Sequence, residues 1–361
     1  MIDGSPRILI VRLSAIGDCL HAVPVLVALR EKNPQACIGW AIEEAAHALL
    51  EGHPLVDRFH IFPRRAFKRR TGTLVERLGR LDAFRREVRE ARYDVALDLQ
   101  GLTKSGLVAW WSGAARRVGF AGKESREINR FFVTTRIQPP DEAVHVVEKN
   151  LSLLRPLDIA PPRSPRWVLP DYSKEREELE PFLSQNNLGP GSECKAFVLI
   201  NPGATWVTKR WSAELFGQVA RRLVREHDVA VVATWADDEE KRAAETIVNG
   251  AGKSAWIAPS TNLRQLAALT SQARLFVGND SGPLHLAVAL GVPCVSVFGA
   301  SDPLRNGPYG AMHRIQAAGP DCQPCWKKTC ARKDMACLDS VTPDCVVESC
   351  AGLLERGGHD R

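Results

Sequence analysis

The amino-acid sequence predicts an α/β protein made of two doubly wound, Rossmann-like parallel sheets in tandem. Three observations carry that reading. Short apolar runs alternate with stretches of helical periodicity, the alternation stops at a proline-rich middle, and it then restarts. Strands that alternate with helices build a parallel sheet covered on both faces. At roughly 150 residues per domain, 361 residues suit two units.

Arg7 to Leu13 is an apolar run that ends in a Ser-Ala-Ile-Gly turn, and it reads as a buried strand. Leu20, Val23, Val27 and Arg30 follow with helical spacing, and Pro24 suits only a first turn. Cys37 to Ile42 and Val95 to Leu99 are the next strands, the latter running into Asp98-Leu-Gln-Gly101. Pro139, Pro140, Pro156, Pro161, Pro162, Pro165 and Pro170 punctuate the middle, and the boundary is set within Ile159 to Val168, giving domains 1–165 and 166–361. Ala196 to Ile200 then ends in Asn201-Pro-Gly, and Ser212 is a helix N-cap with Leu215, Val219 and Leu223 inward. Strands follow at Val229–Ala233, Trp256–Ala258, Arg274–Val277 and Val292–Phe298, with helices at Asp238–Val248, Leu263–Ser271 and Pro283–Leu290. Ligands of such sheets bind outside the carboxyl ends of the strands.

Composition narrows the function classes. With 45% hydrophobic and 25% charged residues the chain is neither disordered nor a rod. A net charge of +6 does not argue for nucleic acid. Arg12 and Asp18 break the opening apolar run, so no secretory signal is expected, and Ser281 to Ser301 is interrupted by Gly and Pro, so no membrane span is expected there. A cytoplasmic protein follows, in which a disulfide framework for the ten cysteines is disfavoured.

Five constellations could carry chemistry. Ser14-Ala-Ile-Gly-Asp18 places a carboxylate where a strand becomes a helix, either as an N-cap or as a base at the mouth of a site. The helix N-terminus would keep it ionised and therefore a weak base. It is not a Gly-x-Gly-x-x-Gly dinucleotide fingerprint, which disfavours a dehydrogenase. Asn201 to Trp211 is a Gly-containing loop with Thr205, Thr208 and Lys209, suited to phosphate and otherwise a solvated loop. Gly278-Asn-Asp-Ser-Gly-Pro-Leu-His285 opens a helix whose free amides make an anion site, with Asp280, Ser281, Gly282 and His285 in reach. From Arg64 to Arg92 eleven basic and four acidic residues give +7, a solvated helix face or a seat for a polyanionic acceptor or anionic membrane. Cys322, Cys325, Cys330 and Cys337 could hold structural zinc or stay reduced.

The stretches Ile8 to His21, Asp98-Leu-Gln-Gly-Leu-Thr-Lys-Ser105, Asn201-Pro-Gly-Ala, Lys209-Arg-Trp211 and Gly278 to His285, in this order, resemble the ADP-heptose:lipopolysaccharide heptosyltransferases of glycosyltransferase family 9. The resemblance implies a GT-B fold, with two Rossmann-like domains facing across a cleft. The N-terminal domain would take the acceptor, and the C-terminal domain the nucleotide sugar. It implies that Asp18 is catalytic and that Lys209, with Thr205 beside it, contacts phosphate. Ala204 stands where relatives can carry a second hydroxyl. Asp280, Ser281, Gly282 and His285 match the donor motif, and Asp237 the position of an acid that can meet the ribose. Lys104, Arg126, Arg64 and Arg65 match the acceptor region. The implied partners are ADP-heptose, a Kdo-lipid A or heptosylated inner-core acceptor, and the anionic inner face of the inner membrane. No cofactor, bound metal or nucleic acid is implied. A non-catalytic nucleotide-sugar binder would not need Asp18, and a GT-B-fold sugar-nucleotide epimerase would have no use for a basic acceptor face.

Overall fold

The computed structural model describes residues 5–64, 73–190 and 194–356. Arg65 and Lys68 to Arg70, part of the basic segment, lie outside the described residues. The chain divides into two compact units, Met1–Asp171 and Tyr172–Arg361.

The first unit holds a six-stranded sheet: β1 (Arg7–Val11), β2 (Cys37–Glu43), β3 (Arg58–Phe62), β4 (Val95–Asp98), β5 (Arg116–Phe120) and β6 (Thr135–Ile137). Its order is β3-β2-β1-β4-β5-β6 and every pairing is parallel. The second unit repeats the plan with β7 (Phe197–Asn201), β8 (Ala230–Ala233), β9 (Ala255–Ile257), β10 (Leu275–Asn279), β11 (Cys294–Val297) and β12 (Arg314–Gln316). Read from its other edge, the order is β9-β8-β7-β10-β11-β12, again all parallel. In each sheet the strand order reverses between the first and fourth strands. These are the points where an open α/β sheet leaves a crevice for ligands.

Continuous burial made β1, β7 and β10 readable in the sequence. The edge strands β3, β6 and β12 were not anticipated, because they are only partly buried and carry no apolar run. The helix expected after β1 is two helices, Ile16–Leu20 and Val23–Lys32, with Pro24 in the first turn of the second. Ser212 caps Ala213–His227 as anticipated, accepting from the amide of Leu215. That helix buries Phe216, Val219 and Leu223, and it packs so closely on Asp238–Ala251 that a Cβ on Gly250 would lie 3.2 Å from the Cα of Gly217.

The boundary falls later than residue 165 because the next three residues are tied to the first unit. The Trp167 indole donates to the Leu20 carbonyl (2.9 Å), His53 Nε2 to the Val168 carbonyl (2.8 Å), and Arg166 pairs with Glu31.

Candidate active site

In the second unit, two loops meet beyond the carboxyl ends of β7 and β10. Asn279, fully buried at the end of β10, stitches them: its amide donates to the Pro202 carbonyl (2.7 Å) and its oxygen accepts from the Trp211 amide (3.1 Å). Gly203 lies close under the Glu240 carboxylate: a Cβ there would sit 2.2 Å from Glu240 Oε1, so any side chain would push that carboxylate aside. A short 3-10 turn, Val207–Lys209, then presents Lys209.

Asp280 is the centre of the cluster. Its Oδ2 accepts from Lys209 Nζ (2.5 Å) and Ser301 Oγ (2.5 Å), and its Oδ1 faces His285 Nε2 at 3.4 Å. Burial raises the pKa of this carboxyl, but the hydrogen bond and charge of His285 and the charge of Lys209 outweigh it and leave it well below the usual range. Asp280 is therefore a fixed anion that holds Lys209 and His285 in place. Ser281 precedes the helix Gly282–Ala289 without capping it, and its buried hydroxyl has no hydrogen-bond partner. Its hydroxyl and the first helical amides are polar groups set for an anion.

Thr205 is exposed. Asp237 is the N-cap of Asp238–Ala251, its Oδ1 accepting from the Glu240 amide (2.9 Å). The acid that lies against the Gly203 turn is Glu240, whose carboxyl burial pushes up in pKa and which accepts from the Ala236 amide (2.9 Å). Sequence reading missed it, although its place three residues after an N-cap aspartate was a usable signal.

In the first unit the corresponding turn follows β1. Asp18 lies in the first turn of Ile16–Leu20. One oxygen accepts from the Ala15 amide (3.2 Å) and the other pairs with Arg12 (2.7 Å). The bond to Ala15 makes Asp18 a cap of this turn, and 36% of its side chain stays exposed. Arg12 is itself buried and also donates to the Leu99 carbonyl at the end of β4.

Beside this turn, Glu43 ends β2 with its side chain 5% exposed. Its two oxygens bind Lys104 Nζ (2.7 Å) and Arg64 (2.5 Å), and Lys104 also donates to Ser14 Oγ (3.1 Å). Lys104 and Arg64 are thus brought together by an acid absent from the sequence-derived set. Arg126 is exposed, with its amide on the Gly101 carbonyl (2.8 Å), and is not part of this cluster. Asp98 is buried under the β4 turn and accepts from the amides of Gln100 and Gly101, Ser105 Oγ and Asn129 Nδ2. Burial raises its pKa against those bonds, and with none of its surface exposed it supports the turn.

Outside these clusters, all ten cysteines are free thiols, and Cys322, Cys325, Cys330 and Cys337 line one pocket with Thr208. Among the described residues no group of three or more His, Cys, Asp or Glu side chains is arranged to hold a metal ion. No described helix is long and apolar enough to cross a membrane. The helix Leu74–Glu90 buries only Phe84 and Val88, leaving Leu74, Val75 and Leu78 exposed among its arginines.

The family described as glycosyltransferase family 9 (heptosyltransferase) matches residues 81–336. Lipopolysaccharide heptosyltransferase 1 of Pseudomonas aeruginosa is 31% identical over 90% of this chain and 87% of its own. The lipopolysaccharide core heptosyltransferase OpsX of Haemophilus influenzae is 27% identical over 85% and 82%. Among solved structures, a family 9 glycosyltransferase from Veillonella parvula superposes with a TM-score of 0.81 at 22% identity, covering 99% of both chains. The E. coli heptosyltransferase WaaC with ADP-2-deoxy-2-fluoro heptose gives 0.72 at 22% identity, covering 97% of this chain and 99% of its own. The two repeated sheets are those of the GT-B fold, and the chain belongs to glycosyltransferase family 9, the heptosyltransferases.

Proposed function

We propose that this enzyme moves a heptosyl group from ADP-heptose to the inner core of lipopolysaccharide, inverting the anomeric centre. The observation that carries the reading is the Lys209–Asp280–His285 centre at the reversal point of the second sheet, in a chain of this family. The donor and acceptor classes come from relatives, which are named for lipopolysaccharide or were solved with ADP and an ADP-heptose analogue.

In this scheme Asp18 takes the proton of an acceptor hydroxyl as that oxygen attacks the anomeric carbon. The bond from that carbon to the diphosphate breaks, and ADP departs. Arg12 orients the Asp18 carboxylate. Lys209, with Ser281 and the amides that open Gly282–Ala289, meets the charge that grows on the leaving diphosphate. The base is one contributor, and positioning and leaving-group stabilisation supply most of the acceleration. Thr205, Asp237 and His285 complete the donor side. Arg64, Lys104, Arg65 and Arg126 would hold the anionic groups of a Kdo-lipid A or heptosylated acceptor. The basic segment and the exposed Leu74, Val75 and Leu78 would rest on an anionic membrane at its cytoplasmic face.

The test is a release assay with purified protein, Kdo-lipid A and a heptosylated core as acceptors, and ADP-heptose against a panel of other nucleotide sugars. Acceptor-dependent release of ADP from ADP-heptose is the expected result. Conversion of the donor to a sugar of inverted configuration without acceptor would make the protein an epimerase, and binding without turnover would make it a binding module.

A further inference from the structure

The cysteine-rich segment is the one sequence feature the proposed reaction leaves without a task. Its backbone is fastened to the donor loops. Gln323 donates from its side-chain Nε2 to the carbonyls of Phe298 (3.0 Å) and Gly299 (2.7 Å), and the Trp326 backbone amide donates to that of Ala300 (2.8 Å). Thr208 Oγ1, next to Lys209, donates to the carbonyl of Lys327 (2.6 Å). The segment is thus a strap laid across the end of β11 and onto the 3-10 turn that presents Lys209.

The strap carries a cation to the same place. Lys328 Nζ lies 5.9 Å from the centroid of the Trp206 ring, and Lys209 Nζ lies 4.8 Å from that centroid. The two ammonium groups are therefore at most about 11 Å apart, with one aromatic ring between or beneath them. Their situations differ. Lys209 is largely buried and its charge is balanced by Asp280. Lys328 is exposed, its contact being the ring, so its charge is available to an incoming anion. A nucleoside diphosphate brings more negative charge than one neutralised lysine can meet.

The geometry points to Lys328 as a second cation for the donor diphosphate, delivered by the cysteine-rich strap and oriented by Trp206. This rests on the reading of the Lys209 loop as the nucleotide-sugar site. Lys328 acts in binding: no bond forms to it, and it adds charge on the open side of a site that Lys209 serves from the buried side.

The experiment is calorimetry with ADP on the full-length protein and on Lys328→Ala, Lys328→Arg and Lys209→Ala. Lys328→Ala should weaken ADP by about 3- to 5-fold, the scale of an exposed charge contact. It should also flatten the salt dependence of the Kd and leave the acceptor KM and the melting temperature unchanged. Lys328→Arg should restore binding to within about twofold, since the charge is kept. An unchanged Kd in Lys328→Ala, with a clear loss in Lys209→Ala, would overturn this assignment and leave the donor site standing. No change in either variant would overturn both the assignment and the donor-site reading beneath it.

Discussion

Lys209 has two partners in prospect, the Asp280 carboxylate and the leaving diphosphate, and a mutant cycle separates them. Lys209→Met removes the ammonium and keeps the apolar stem. Asp280, 4% exposed, then loses a charge-assisted bond but keeps Ser301 and His285. Removing one partner of a buried pair costs about 3–5 kcal/mol, and the two remaining partners put this case nearer the worth of one charged hydrogen bond, about 2–3 kcal/mol. In a unit of this size that corresponds to a fall of about 5–10 °C in Tm. Lys209→Met/Asp280→Asn should be less destabilised than the two single variants taken together, by at least about 1 kcal/mol, because the lone buried charge is gone. Catalysis should not follow. Lys209→Met should lose about 10²–10³-fold in kcat, and the double variant should stay as slow, because the diphosphate still lacks its cation. Thermal melts and turnover on the same four proteins decide it. Additive stabilities would show that Asp280 does not hold the ammonium. Recovery of kcat in the double variant would show that Lys209 serves only to balance Asp280.

Three further outcomes are expected. Asp18→Asn should cost about 10²–10⁴-fold in transfer while calorimetry finds ADP binding intact, and activity within threefold of wild type would reduce Asp18 to a cap. Arg64→Gln should raise the acceptor KM by about 3- to 5-fold at low salt, less at high salt, and leave the donor KM alone; a matching rise in both KM values would mean general damage. Burial holds His53 and His313 down to a pKa of about 4 each, so between pH 6.5 and 4 the unfolded chain binds more protons and stability falls as the pH drops. His53→Gln should remove its share, up to about 3 kcal/mol, from the fall in stability between pH 7 and 4, and identical profiles for variant and wild type would contradict the burial argument.

What could be read from the sequence were the groups that follow a buried strand at once. Asp18 comes soon after β1, Lys209 lies in the loop after β7, and Asp280 and His285 stand just past β10, so an apolar run flags each of them. What escaped are the partners supplied by other strands. Glu43 is 61 residues from Lys104, and Ser301 is 21 from Asp280. Neither pairing leaves a local pattern, because parallel neighbours in a sheet are joined through long crossovers. Arg12 escaped for another reason: a single charge inside the run Arg7 to Leu13 shows no partner in the sequence, while in the fold it is buried against Asp18. Glu240 was passed over in favour of Asp237, since at the start of a helix the acid that caps and the acid that faces a neighbouring loop look alike in one dimension.

The repeated strand order has a consequence for how such a chain can change. Every ladder in β1 to β6 closes within the first unit and every ladder in β7 to β12 within the second, so a crossover between Asp171 and Tyr172 cuts no sheet. Recombination at that joint would exchange whole, self-contained halves. The Asp18–Arg12 pair and the Glu43 cations would travel with one parent, and the Lys209–Asp280 centre with the other. Each half would keep its own sheet whole, with the side-chain pairs at its strand ends. The linker after Val168 is therefore the natural seam for chimeras, since a cut there leaves both sheets whole.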